Sequence, residues 1–104
     1  MEFEEIFKKE FYIVDCKNFI YFPRTVRVIG FEISIYEIIY ITDIKEPLIH
    51  ENRKMYLEEL EKFKSFKEAQ KEAERLNNID ENKKRAEKWN SIENIYLRQC
   101  LKGE

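Results

Sequence analysis

The composition of the chain changes sharply at Lys45-Glu46-Pro47. Before this point, residues 11–44 are dense in β-branched and aromatic side chains, which favour strands, whereas Glu, Lys and Leu dominate after it and favour helices. At 104 residues the chain is too short for two independent cores. We therefore predict one α+β domain over residues 1–104, with a small N-terminal antiparallel β-sheet followed by C-terminal α-helices.

The first half, about 11–44, divides into short runs with hydrophobic alternation. The predicted strands are 11–16, 19–22, 25–35 and 38–44. Lys17-Asn18 is expected to form a two-residue hairpin loop, because Asn tolerates the positive φ that such loops require. Pro23 should end a strand or lie at a sheet edge, since it has no N–H to donate, and Gly30 should mark a bulge. The pattern predicts about four antiparallel strands.

The second half predicts helices over about 53–63, 66–77 and 81–101. The first rests on Tyr56, Leu60 and Phe63 at helical spacing, with a strand ending at Phe63 as the alternative. The second begins with a capping box, Ser65-Phe66-Lys67-Glu68, in which the Ser hydroxyl accepts a backbone N–H bond and Glu68 reaches back towards the cap. Asp80 is expected to cap the third helix.

The last helix becomes apolar on more than one face towards its end. Its late apolar residues are Ile92, Ile95, Tyr96, Leu97, Cys100 and Leu101. A helix that is apolar nearly all round must be buried, and in so small a protein another copy covers the second face most easily. We predict a homo-oligomer.

The charge balance argues against nucleic acid and membranes as partners. Lys+Arg number 19 against 21 for Asp+Glu, and the net charge is -2. A polybasic surface of the kind that binds nucleic acid or anionic lipid is therefore not expected. The longest apolar stretch, 31–44, is interrupted by charged residues and is too short to span a bilayer.

Catalytic and metal-binding patterns are missing from the sequence. His50 is the sole histidine and has no nucleophile at motif spacing, and Cys16 and Cys100 are too far apart in sequence for a zinc motif. Two glycines leave no Gly-rich phosphate loop. Paired acids such as Glu58-Glu59 lie in charge-rich segments typical of a solvated face. We predict that the protein is not an enzyme and uses no metal or cofactor.

Arg24-Thr25 is the first candidate for ligand binding. It follows Pro23 in an expected turn between strands, where a guanidinium and a hydroxyl side by side can hold a phosphate. In a symmetric oligomer, copies of this turn would form a basic cup for several phosphates. An exposed turn with a solvated Arg is the alternative.

Trp89, the sole tryptophan, is the centre of the second candidate. It lies one helical turn after Arg85, with Asn90 and Arg98 further along the same helix. A planar ring beside amide and guanidinium groups suits a nucleobase with its phosphates. Packing of Trp89 in the core or between subunits is the alternative.

A small sheet followed by two C-terminal helices, with the segments FPRTVRV (22–28) and KFKSFKEAQKEAERLN (62–77), resembles the phage-encoded Thoeris anti-defence proteins. The resemblance implies a protein that binds and sequesters cyclic nucleotide immune signals, namely cyclic ADP-ribose isomers and cyclic oligonucleotides. It implies action in the cytoplasm of the host bacterial cell, which accords with the lack of a signal-peptide pattern in the opening residues. Sequestration requires affinity and not transition-state stabilisation, so catalytic groups are not needed.

Within this resemblance, Arg24 and Thr25 would hold phosphates, while Arg85, Trp89, Asn90 and Arg98 would lie near a subunit interface. A second hypothesis is an inhibitor that binds a host defence complex, such as a CRISPR effector, through its acidic and aromatic surface. A third is a structural or regulatory phage accessory protein. Both alternatives dispense with a small-molecule pocket.

Overall fold

The computed structural model describes the backbone of residues 3–102 and the side chains of residues 4–92. The protein has the predicted α+β arrangement, with an N-terminal sheet followed by helices. In chain order the elements are α1 (Phe3–Lys8), β1 (Glu10–Lys17), β2 (Ile20–Ile33), β3 (Ile38–Glu46), β4 (Glu51–Met55), α2 (Leu57–Leu60), α3 (Phe66–Asn77) and α4 (Asp80–Lys102).

The sheet has four antiparallel strands in the order β1-β2-β3-β4. The predicted loop is displaced by one residue, because Lys17 pairs with Ile20 and leaves Asn18 and Phe19 in the turn. Of the two predictions for Pro23, the strand end is wrong because β2 runs through this residue, and the edge position is confirmed. Pro23 faces Val14 of β1, and β2 pairs with β3 only from Val28 onward, so the missing N–H removes no bond to β3.

The register of β2 against β3 shifts between Val28 and Gly30, which is the bulge expected at the glycine. A second irregularity separates Ile41 from Lys45 where β3 pairs with β4. The buried hydroxyl of Thr42 bridges this gap by donating to the Arg53 carbonyl at 2.8 Å. These two irregularities allow β2 and β3 to bend.

The sheet curls until its first and last strands approach each other. In a flat sheet β1 and β4 would lie about 14 Å apart. Instead, Asp15 of β1 contacts Arg53 of β4 at 3.2 Å, and Tyr12 forms a bridge with Phe63. The curl gives the sheet an enclosed inner face.

The inner face holds the main core. Its buried hydrophobic residues are Ile6, Phe11, Ile13, Val26, Val28, Tyr40, Ile44, Met55 and Leu60. They come from α1, all four strands and α2, so the short helices close the openings of the curled sheet. Because side chains alternate along a strand, the charged residues Asp15 and Arg24 share the inner face with Ile13 and Val26.

The helix predicted over 53–63 is corrected by the structure. Residues Glu51–Met55 form β4, and the helix is the single turn Leu57–Leu60. β4 is the last strand in the order, and its residues are polar except for the buried Met55, so it lacks the alternation that predicts a strand. Of the predicted stripe, Leu60 is buried, whereas Tyr56 is exposed and Phe63 pairs with β1.

Helix α3 packs on the outer face of β1 and β2, where Phe66 meets Tyr12 with ring centroids 6.5 Å apart. The Ser65 hydroxyl accepts the N–H of Glu68 at 3.2 Å, as the capping box requires. The Glu68 carboxylate accepts from the N–H of Lys64, one residue before the cap. At the other end, the Asn77 amide donates to and accepts from the backbone of Tyr21, at 2.7 Å in both cases. These two hydrogen bonds fix α3 to the start of β2.

Helix α4 projects from the body of the protein. Its 23 residues span about 34 Å. The radius of gyration is 17.6 Å, compared with about 13 Å for a compact domain of this size. Asn82 anchors the first turns by donating to the Leu76 carbonyl at 2.8 Å. Of the helices in the described part of the chain, none combines the length and apolar composition needed to cross a bilayer.

Candidate functional site

The six predicted ligand-binding residues lie on two separate elements. Arg24 and Thr25 lie in the middle of β2, opposite Ile13 and Tyr12 of β1, and not in a turn as predicted. Arg85, Trp89 and Asn90 lie on α4. Arg98 belongs to the same helix, but its side chain lies outside the described residues.

Arg24 is engaged within the fold. Its guanidinium donates to the Asp15 carboxylate at 3.1 Å, and Asp15 is only 10% exposed. Thr25 follows it in the strand and therefore faces the opposite side of the sheet. The two side chains cannot grip one phosphate together, because they diverge. The predicted Arg24-Thr25 pair is corrected on this point.

Asp15 is the centre of an ion-pair cluster. Besides Arg24, it accepts from Arg53 of β4 at 3.2 Å, and Arg53 also bonds the Glu46 carboxylate. The cluster lies at one end of the inner face, where it joins β1, β2, β3 and β4. The cluster contains two carboxylates and two guanidinium groups, so their charges balance. Its ion pairs connect the strands of the curled sheet.

The pKa of Asp15 lies below its ordinary value of 3.8. Burial by itself raises the pKa, but hydrogen bonds from the Cys16 N–H and from Arg53, with the positive charge of Arg53, outweigh that effect. The Arg24 hydrogen bond lowers it further. Asp15 therefore remains a carboxylate and holds both guanidinium groups in place.

Trp89 contacts the tip of the β1–β2 hairpin. Its ring and that of Phe19 have centroids 6.0 Å apart and planes inclined by 64°. Phe19, Trp89, Arg85, Lys88 and Ile92 line a cavity of about 350 Å³, which we call the Phe19–Trp89 site. Both rings remain partly exposed, at 44% and 39%, so this contact is not part of the buried core.

The backbone of Phe19 is strained. The φ angles of Asn18 and Phe19 are 53° and 66°, the left-handed values that a two-residue hairpin turn requires. Asn followed by Gly is the favoured pair, since a bulky residue with positive φ costs about 1–2 kcal/mol. Strained residues of this kind persist where the surrounding structure holds them, and they cluster at functional sites. Here the Phe19 side chain forms one wall of the site.

The cations of the site, Arg85 and Lys88, are not neutralised by any of the described side chains. Neither Arg85 nor Lys88 has a carboxylate at ion-pair distance among the side chains of residues 4–92. They are three positions apart on α4, so they lie on one side of the helix with Trp89 and Ile92. Asn90 is exposed and does not line the cavity. The site therefore offers two rings and two unpaired positive charges.

Three lining residues were missed from the sequence: Phe19, Lys88 and Ile92. Lys88 and Ile92 could have been found from their helical spacing to Arg85 and Trp89. The signal for Phe19 was its place after Asn18. A two-residue hairpin turn with positive φ favours glycine at this second position, so a phenylalanine there is unusual. The contact between that turn and α4 had no local signal.

The described residues contain no group of three or more His, Cys, Asp or Glu side chains arranged to hold a metal ion. His50 is exposed in the turn after β3, with φ of 55°, and its N–H donates to the Glu46 carbonyl at 2.9 Å. Comparison with protein-family models, curated proteins and solved structures finds no match to this chain. The geometry of the Phe19–Trp89 site is therefore the guide to function.

Proposed function

We propose that the protein binds a nucleotide signal molecule at the Phe19–Trp89 site and sequesters it without altering it. The ligands are cyclic ADP-ribose isomers and cyclic oligonucleotides, which carry bases for the rings and phosphates for the cations. The observation that carries the proposal is the pair of half-exposed rings flanked by Arg85 and Lys88, which have no carboxylate partner among the side chains of residues 4–92. Such a protein acts as an anti-defence sponge.

The edge-to-face geometry of the two rings supports stacking. With planes inclined by 64°, the rings cannot stack on each other, so a base can lie against the open face of either ring. Stacking of one base on an aromatic side chain contributes about 1–3 kcal/mol. A phosphate beside Arg85 adds charge-assisted hydrogen bonds in the fork geometry of the guanidinium.

The size of the cavity suggests a role for a second copy. A volume of about 350 Å³ is near the lower end for ligand pockets and suits one base with its phosphate. A cyclic dinucleotide has two such halves, which a two-fold assembly through α4 would hold symmetrically. In this arrangement Asn90 and Arg98, both on α4, lie near the interface between the two copies. The homo-oligomer thus belongs to the proposal.

The test is a depletion and recovery experiment. Purified protein is mixed with a panel of cyclic ADP-ribose isomers and cyclic dinucleotides, and free ligand is measured before and after heating. A sponge removes ligand from solution and returns it intact on heating. Chemical conversion of the ligand would contradict sequestration, and failure to deplete every member of the panel would contradict nucleotide binding.

The matched variants are Trp89→Ala and Phe66→Ala. Phe66 is a useful control because it is 44% exposed and forms a comparable edge-to-face pair with Tyr12, away from α4. We expect Trp89→Ala to weaken binding by about 10- to 100-fold, the range of one lost stacking contact, while Phe66→Ala leaves affinity unchanged. Equal losses of nucleotide affinity in both variants would show that the nucleotide does not bind at the Phe19–Trp89 site. Light scattering with and without ligand measures the oligomer.

The second candidate is a protein-binding inhibitor of a host defence complex. It is favoured by apolar side chains that stand almost fully exposed on two hairpin turns, Tyr36 at 89% and Leu48 at 94%. Exposed apolar groups of this size commonly mark protein interfaces. Failure to bind any nucleotide, together with stoichiometric binding to a purified host nuclease complex, would favour this function.

A further inference from the structure

The turn between β2 and β3 carries a contiguous set of exposed apolar residues. We call this set the hairpin-end patch, and it consists of Ile33, Ile35, Tyr36, Ile38 and Tyr56. Ile33 pairs with Ile38 across the hairpin, and Ile38 lines one groove with Tyr56. The patch lies at the opposite end of β2 from the turn that carries Phe19.

The turn that presents Ile35 and Tyr36 is held by its own hydrogen bonds. The Ser34 hydroxyl accepts the N–H groups of Tyr36 at 3.3 Å and Glu37 at 3.1 Å, and the Ser34 N–H donates to the Glu37 carbonyl at 2.9 Å. Ile35 and Tyr36 nevertheless remain 87% and 89% exposed. A preorganised turn pays little ordering entropy on binding, which suits the presentation of an aromatic anchor to a partner.

The groove beside the turn is acidic. Its volume is about 430 Å³, and it is lined by Glu37, Ile38, Tyr56, Leu57 and Glu58. The lining includes two carboxylates and no cation, and neither carboxylate has an ion-pair partner among the side chains of residues 4–92. A side-chain hydrogen bond to Glu37 and the charge of that carboxylate raise the pKa of Tyr56 above its ordinary value. The groove thus carries uncompensated negative charge around an apolar floor.

From this combination we infer that the hairpin-end patch binds a segment of a partner protein that carries an apolar anchor flanked by Lys or Arg. The apolar anchor fits over Ile38 and Leu57, and the basic side chains meet Glu37 and Glu58. A second copy bound through the same patch would place like carboxylates together. Nucleic acid and anionic lipid surfaces are repelled by the same charges. The inference is independent of nucleotide binding at the Phe19–Trp89 site.

The test uses fluorescein-labelled amphipathic peptides of fourteen residues, with Leu, Phe or Trp as the anchor and Lys or Arg at the polar positions. The matched control peptides have Glu in place of every Lys and Arg. We expect saturable binding of at least one basic peptide by fluorescence anisotropy, no binding of its acidic counterpart, and weaker binding at high salt. Binding of both charge forms, or of no basic peptide, would overturn the inference.

Two variants locate the binding. The double variant I35S/Y36S should bind the best peptide at least ~10-fold more weakly than the wild type does, as expected when a central aromatic anchor is removed. The matched control is L48S/I49S, which removes two exposed apolar residues from the β3–β4 turn. Circular dichroism checks that both variants remain folded. An equal loss in the control would show unspecific apolar binding and overturn the inference.

The charge-reversal variant E37K/E58K completes the experiment. It should reverse the preference, so that the acidic peptide binds in place of the basic one. The wild type is also sedimented with zwitterionic lipid vesicles and measured by light scattering. Cosedimentation that I35S/Y36S abolishes would assign the patch to a lipid surface, and a lower mass for I35S/Y36S than for wild type would assign it to self-association. Either result would overturn the inference.

Discussion

The curled sheet and helix α4 use arginine in opposite ways. In the curled sheet, Arg24 and Arg53 converge on Asp15, which is 10% exposed. On α4, Arg85 stands beside Trp89 in an open cavity and has no carboxylate partner among the described side chains. Arg24 and Arg53 are paired within the fold, whereas Arg85 has no ion pair among the side chains of residues 4–92 and can bind another molecule.

The difference follows from where each element lies. A charge at the margin of a core must be paired, because desolvation costs more than the fold can spare. A charge on a projecting helix remains hydrated and needs no partner. An arginine is therefore informative about function only when its neighbours are known, and neighbours across a curled sheet are distant in sequence.

The largest expected effect is on the sheet side of the comparison. Asp15→Asn removes the negative charge that holds Arg24 and Arg53 while keeping the side-chain size. We expect a loss of about 2–3 kcal/mol in the free energy of unfolding, as for a broken and largely buried ion pair. Urea denaturation followed by circular dichroism measures it.

The control for this variant is Glu72→Gln, which breaks the exposed pair between Glu72 and Arg75 on α3. Its urea midpoint should equal that of the wild type, since exposed pairs contribute little. If Asp15→Asn also leaves the midpoint unchanged, the cluster does not hold the sheet.

Acid should remove the same stabilisation. The pKa of Asp15 is lowered in the folded protein, so its contribution is fully present above the unfolded pKa of about 3.9. It is lost as the pH falls through the lower, folded pKa. The stability difference between wild type and Asp15→Asn should be constant from about pH 7 to pH 5 and shrink below about pH 4. A difference that stays the same between about pH 4 and pH 2 would mean that the charge of Asp15 is not the cause.

Replacing one arginine in each region sharpens the comparison. Arg85→Gln should weaken nucleotide binding about 10-fold, the effect of losing one charge-assisted contact, and leave stability unchanged. Arg24→Gln should lower stability and leave nucleotide affinity unchanged. Isothermal titration gives the nucleotide affinity of each variant, and urea denaturation gives its free energy of unfolding. Weaker nucleotide binding by Arg24→Gln would instead place Arg24 in the ligand site.

Phe19→Gly has two opposing effects on stability. Glycine relieves about 1–2 kcal/mol of backbone strain at φ 66°, and the lost contact with Trp89 costs about 0.5–1.5 kcal/mol. The net change in unfolding free energy should therefore lie within about 1 kcal/mol of zero, while nucleotide affinity falls. A large loss of stability would identify Phe19 as a core residue and contradict its role in the site.

The sequence predicted the parts of the structure that depend on neighbours in the chain. The change of composition at residues 45–47 predicted the sheet and the helices, and the cap at Ser65 and the bulge at Gly30 follow from local geometry. It missed β4, because a polar strand at the end of the sheet carries no hydrophobic alternation. For Pro23 the sequence left two options, a strand end or a sheet edge, because the cost of the missing N–H depends on whether another strand lies beside it.

For the candidate site, residue type and helical spacing were enough to select Trp89 and Arg85 on α4. Only the tertiary structure decided that Arg24 serves Asp15, and that Phe19 completes the wall opposite Trp89. Helical periodicity is a property of a few adjacent residues and can be read along the chain. The curl of the sheet and the meeting of a hairpin tip with α4 join residues up to 70 positions apart, Phe19 and Trp89, and such contacts arise only when the whole chain packs.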